Sequence, residues 1–396
     1  MLKVKASICS QGNDGIGSYL YTDRYEIVND GAGNVSLNWT GYGNKDITWE
    51  TNTNMNVGVD FGMFNGRLSG TVEYFSRKTT DMLYSFGVPG HLGFLSYYDN
   101  VGDMRNSGVE VDLHGVLVNT KNVRWSVNVN ATHVRNKVLY IAEENKSLGV
   151  EGHPGFESGN KFVGEGLSLY TFYLPKYAGT DKETGEPMWY KDEYEMNEDG
   201  TVKRDETKSP IVKNRTVTKT YSEATDYLCG SAVPDLYGGF GTSVEFFGFD
   251  FGVNFTYQIG GLTYDGDYAG MMKSPVAGST GTNIHRDVYT AWRAAGEENN
   301  IPRWQFNDQY SAASSDRFLT SASYLNIQNA QLGYTIPAKL TKKFGVSTLR
   351  VYVAADNIWY WSKRQGLDPR QSFSGGSSAA YYAPVRTISG GINIQF

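Results

Sequence analysis

The sequence predicts an all-β protein, an antiparallel transmembrane β-barrel of about ten to twelve strands. Three observations predict it: strict period-two alternation that recurs along the chain, short turns that alternate with long polar connections, and many aromatic residues under a polar average. The 396 residues include 46 Gly, 28 Tyr and 19 Phe, yet the mean hydropathy is only -0.43. A barrel wall gives this combination, because each strand shows an apolar face to lipid and a polar face to the lumen.

The strands follow in order. Residues 2–8, 48–63 and 67–75 alternate first. In GVEVDLHGVL, Val109, Val111, Leu113 and Leu117 oppose Glu110, Asp112 and His114. In WSVNVNATHV, Trp125, Val127, Val129 and Ala131 oppose Ser126, Asn128, Asn130 and Thr132. Residues 236–246 continue the pattern, and FDFGVNFTYQI sets Phe249, Phe251, Val253, Phe255, Tyr257 and Ile259 against Asp250, Gly252, Asn254, Thr256 and Gln258. Residues 324–336 alternate with a change of phase between Ile327 and Ala330, which predicts a bulge. Residues 348–359 and 385–396 complete the set, the last with Ile388, Gly390, Ile392, Ile394 and Phe396 on one face. The apolar faces spelled out above carry no Asp, Glu, Lys or Arg, as lipid requires, although a soluble core excludes charge too.

The connections separate those two cases. FNG, NTKNV, FG and PAKLTKKFGVS are short links, whereas residues 11–46, 80–106, 139–162, 175–235, 260–323 and 362–384 are long and polar. Alternation of the two kinds puts every long connection at one end of the sheet, the pattern of periplasmic turns and external loops. Both chain ends then fall on the short-turn side, so the strand count is even. Ten strands are clear, and residues 161–194 hold a possible further pair. Trp49, Trp125, Tyr257, Tyr264, Tyr334, Trp359 and Trp361 near strand ends are expected to form interfacial girdles.

Several function classes are disfavoured. The net charge of -6 is spread without a basic cluster, so no nucleic acid is expected as partner. Cys9 and Cys229 match no metal or redox spacing. No segment approaches the length of a membrane helix, and MLKVKASICS is no signal peptide. Residues 195–206 place Asn197, Asp199, Gly200 and Glu206 at calcium-loop positions, but Glu195 stands where Asp is usual, and a hairpin turning at EDG explains the segment more simply. The five histidines are scattered and no catalytic motif occurs, so neither an enzyme nor a metal or other cofactor is expected.

Five runs in sequence carry a resemblance: DITWETNTNMNVGVDFGMFNGRLSGTVEYFSRKTTDML, NVGDMRNSGVEVDL, PDLYGGFGTSVEFFGFDF, SASYLNIQNAQLGYTIPAKL and RVYVAADNIWYWSKRQGLDP. Together they resemble the C-terminal barrel half of SusC/RagA-like TonB-dependent outer-membrane transporters. The resemblance implies a barrel of about 22 strands, of which residues 1–396 supply the C-terminal portion, with plug domain and signal peptide upstream of residue 1. It implies outer-membrane lipid, a SusD-like surface lipoprotein and, through the missing N-terminal part, the TonB complex as partners. It also implies that Phe396, closing an alternating strand, is read by the barrel-assembly machinery. The expected function is uptake of glycans or similar oligomers, with peptides a second substrate class. Long loops rich in aromatic and polar residues suit sugars, whose rings stack on aromatic faces, and the candidates are Tyr97, Tyr98, Trp189, Tyr190, Trp292, Trp304, Tyr381 and Tyr382. Aromatics packing loop against loop explain the same composition. The alternatives are a passive porin of about twelve strands or a barrel enzyme, and a soluble glycan-binding β-sandwich.

Overall fold

The computed structural model describes residues 1–396 apart from 16, 30, 89, 95, 279–280, 282, 365, 372 and 377–383. Ten strands form one sheet: β1 (Leu2–Asn13), β2 (Glu50–Met63), β3 (Leu68–Gly87), β4 (Ser96–Asn119), β5 (Val123–Ile141), β6 (Leu236–Phe246), β7 (Phe249–Ile259), β8 (Tyr324–Ile336), β9 (Thr348–Ser362) and β10 (Thr387–Gln395). They lie side by side in chain order, each antiparallel to the next.

The register turns the alternation into two faces. One row of directly paired residues runs Leu2, Phe61, Gly70, Leu113, Val129, Phe240, Phe255, Ile327 and Trp359, apolar or glycine throughout. An adjacent row of the other parity runs Lys3, Asp60, Thr71, Asp112, Asn130, Gly239, Thr256, Asn326 and Tyr360. The polar face carries ion pairs along the strands: Lys5 lies 3.1 Å from both Asp60 and Glu73, and the Arg350 guanidinium donates to both carboxylate oxygens of Asp250. The apolar face is left open, with Val4 at 70% exposure, Leu332 at 54% and Ile388 at 71%. A soluble sheet would cover such a face, whereas a membrane wall leaves it to lipid.

Short turns close one end of the sheet. Phe64 and Asn65 adopt positive φ in the first, and Phe247 and Gly248 do so in the third. The longer turn after β8 makes a helical turn over Ala338–Thr341 and ends with Gly345 at φ 72. The expected bulge is present: Asn254 faces Asn329 and Phe255 faces Ile327, leaving Gln328 without a partner in β7.

Residues 80–106 depart from expectation. Only 88–95 leave the sheet, because β3 and β4 run on well past the alternating part. Asp81 at φ 53 and Gly102 at φ 152 mark bulges that shift the register, which breaks the period by which the sequence identifies a strand. Beyond them Met82 and Val101 pack with Val138 and Ile141 of β5 against Phe156 and Val163 of a connecting segment. Val138 shares the parity of Asn128 and Asn130, so this segment lies over the polar face, at the mouth of the sheet. The strands within 161–194 likewise join small separate sheets, so the wall has ten strands.

Candidate binding surface at the mouth of the sheet

The connection 142–235 folds on itself. Asp226–Ser231, Thr171–Pro175, Lys161–Gly164, His153–Ser158 and Leu148–Val150 form a five-stranded sheet, and Tyr177–Thr180, Pro187–Tyr194 and Val212–Thr218 a three-stranded one. Asn136 of β5 ties it to the wall: its carbonyl oxygen accepts from the Leu169 N–H at 2.7 Å and the Ser168 hydroxyl at 3.1 Å. Asp192, buried in the three-stranded sheet, accepts from the Tyr227 hydroxyl at 2.6 Å and from Arg215 Nε at 2.7 Å. The accepting Asp192 carboxylate raises the pKa of both donors: for Arg215 its hydrogen bond is the main cause, for Tyr227 burial comes first.

The connections 260–323 and 363–386 lock onto the first. Arg303 donates to the Thr184 carbonyl at 2.9 Å and pairs with Asp308 at 3.1 Å and Glu186 at 3.3 Å. The Trp292 indole donates to the Lys182 carbonyl at 3.0 Å and covers Gly185, where a Cβ would sit 2.2 Å from the ring. Only glycine fits at that φ of +70 and that contact. Arg364 lies over the Tyr268 ring and 3.1 Å from buried Asp265, while the Gly375 carbonyl accepts from the Tyr264 N–H at 2.9 Å.

Where the three connections meet the wall there is a cavity of about 420 Å3, lined among others by Tyr84, Asn160, Lys161, Tyr170, Tyr264 and Gly375. Lys161 lies over the Phe172 ring, and its Nζ is buried without a hydrogen-bond partner among the described residues. Burial without a counter-charge pushes its ammonium down to about 7. A ligand carboxylate or phosphate arriving beside it would restore its charge.

The structure separates the aromatic candidates. Trp189 is 1% exposed, packed edge-on against Tyr221 and 6.5 Å from Tyr310, so it has no face to offer a sugar. That expectation is corrected: the residue builds the loop core. Its neighbour Tyr190 and the distant Trp304 keep open surface at 38% and 37%. Tyr97 stacks on Phe86 and meets Tyr42 edge-on, binding the hairpin of Arg24–Asn29 and Val35–Gly41 to the wall, and Tyr98 is half-buried beside it. Trp292 is half-buried in the clamp just described. Tyr381 and Tyr382 lie outside the described residues. Tyr289, Phe306 and Tyr310 are exposed, at 69%, 60% and 46%, and lie in an irregular loop whose sequence has no period to show which ring faces out. Of the girdle residues, Trp49, Trp125, Trp359 and Trp361 are exposed, but Tyr264 belongs to the loop core beside Phe318. Residues 195–206 make the expected hairpin, with Gly200 at φ +80, Asp199 accepting from Thr201 and Lys203 paired to Glu195. Phe396 follows the last residue of β10 and is 87% exposed.

A meandering sheet with one lipid-type face, one polar face and a folded mouth defines the wall of an outer-membrane-type β-barrel. Comparisons make the class specific. Residues 10–196 match the family described as TonB dependent receptor-like, beta-barrel. The chain is 23% identical over its whole length to TonB-dependent receptor P3 of Formosa agariphila, and 24% identical over 89% of its length to TonB-dependent receptor SusC of Bacteroides thetaiotaomicron. It covers 39% of the first and 32% of the second. The solved structure of the RagAB peptide transporter superposes on the whole chain with a TM-score of 0.81 at 26% identity, the chain covering 41% of it. The chain thus resembles SusC/RagA-like TonB-dependent receptor β-barrels along its whole length, and spans well under half the length of these relatives.

Proposed function

We propose that residues 1–396 are the C-terminal barrel portion of an outer-membrane import receptor that takes up glycans or similar oligomers with energy from the TonB complex, plug and signal peptide being supplied upstream. The observation that carries the reading is the mouth: three long connections fold together over the polar face of a wall whose relatives are TonB-dependent receptors. Exposed aromatics and the Lys161 cavity give this mouth groups that stack on rings and meet anions. A SusD-like lipoprotein would sit over the same surface, and Phe396 would serve assembly in the outer membrane. Peptides are the second reading, favoured by the likeness to the RagAB peptide transporter.

The test is binding of oligosaccharide and peptide pools to the purified full-length receptor. Tyr190→Ala and Trp304→Ala should each weaken binding of the retained oligomer by about tenfold. Retention of peptides alone would move the substrate to the second reading, and retention of neither pool would remove the importer.

A further inference from the structure

The lipid-type face of the wall carries a group of cations that oligomer uptake does not use. On β3, β4 and β5 this face is apolar through Tyr74, Val109 and Ala131, and then changes. Ser76 pairs with Ser107 and Ser107 with Arg135; one row farther toward the long connections, Lys78 pairs with Arg105 and Arg105 with Lys137. All four cations keep the parity of the apolar residues below them, so they project from the same face. Among the described residues the side chains of Arg105, Arg135 and Lys137 make no hydrogen bond or ion pair, and Lys78 shares Asp103 at 2.8 Å. Asp81 lies at the bulge beyond Lys78 on β3, whereas Glu73 and Glu110 belong to the polar face.

Depth places the group. Leu68, beside the short turn, and Lys78 are ten residues apart, about 33 Å along a strand and about 25 Å across the bilayer at the usual barrel tilt. That equals the height of a barrel's apolar band, so the cations stand at its outer edge. Neighbouring strands lie about 5 Å apart, which puts Lys78, Arg105 and Lys137 within about 10 Å.

We propose that Lys78, Arg105, Arg135 and Lys137 form a binding patch for the phosphorylated headgroup of an outer-leaflet lipid. An occupant that reaches these cations also meets the apolar rows directly below them, and a lipid satisfies both at once with phosphate above and acyl chains beneath. The proposal rests on the outer-membrane placement given above.

The experiment is native mass spectrometry of the full-length receptor in detergent, titrated with phosphorylated lipid A, dephosphorylated lipid A or inorganic phosphate. The triple variant Arg105→Gln, Arg135→Gln, Lys137→Gln should bind phosphorylated lipid A at least about tenfold less well than the wild type. Lys213→Gln, on an exposed outer hairpin, should bind it normally. Heat-modifiable migration on gels shows that the variant barrel is folded, and the single substitutions report should the triple variant fail. Equal binding of the two lipids, unchanged binding by the variants, or loss of self-association in place of lipid would overturn the patch. Occupancy by inorganic phosphate without lipid preference would also overturn it. Absence of the receptor from the outer-membrane fraction would instead overturn the placement.

Discussion

Adjacent residues Trp189 and Tyr190 show what a sequence can and cannot say about a binding ring. In the strand Pro187–Tyr194 neighbours point to opposite sides, so one of the two must face inward, and the structure buries Trp189. Trp189→Ala should cost about 3 to 5 kcal/mol in the stability of the outer unit, read as faster proteolysis within 142–235 and a lower melting temperature. Trp189→Phe should cost less, because it also removes a buried indole N–H that has no partner. Asp226 gives a prediction in pH. Burial, aided by Glu157, pushes its carboxyl up from 3.8 to about 6. Between those values the folded chain holds a proton that the unfolded chain has released, so the outer unit loses stability as pH rises from about 4 to about 6 and then levels off. Asp226→Asn should therefore raise the melting temperature at about pH 7 and leave it unchanged at about pH 4. A variant equally stabilised at both would disprove the cause.

At the scale of elements, strands were legible wherever lipid imposes the alternation. The ten segments read from the sequence are the ten strands of the wall, and the Gln328 bulge showed as a change of phase. The outer halves of β3 and β4 did not show, because beyond the bulges at Asp81 and Gly102 the apolar residues turn from lipid toward a protein core. Nor did the small sheets of 142–235, whose strands are three to eight residues long and pack on one another without a solvent face of constant parity. The mouth itself was legible only as composition: aromatic content marked it, and long-range packing decided which rings remained open. The two faces of β7 give a direct test. Phe251→Arg or Val253→Arg, on the lipid-type face, should cost about 2 to 4 kcal/mol of barrel stability in denaturant titrations. Asn254→Arg, on the polar face, loses one hydrogen bond to Asn329 at 3.0 Å and should cost no more than about 1.5 kcal/mol. Equal damage at all three positions would mean that both faces of β7 are packed.

At the scale of the molecule, the sorting of connections predicts sidedness. Four turns leave one end of the sheet, and the folded connections 14–49, 142–235, 260–323 and 363–386 leave the other. In a barrel of this class the turns face the periplasm and the folded connections the outside. Cysteines placed in the full-length receptor at Lys121 and Lys342, both exposed in turns, should be silent toward an impermeant thiol reagent on intact cells. Cysteines at Asn197 and Ser222, both exposed in the mouth, should react within the same exposure. The native Cys9 provides an internal reference: its parity is that of Lys3 and Lys5, so it faces the lumen rather than lipid, and Asn54 donates to its sulfur at 3.8 Å. Its labelling should depend on whether the lumen is closed, whereas labelling at Asn197 should not. After permeabilisation of the outer membrane, Lys121 and Lys342 should become reactive with no change at the mouth. Reaction of all four positions on intact cells would remove the sidedness, and with it the assignment of the folded mouth to the side from which substrate arrives.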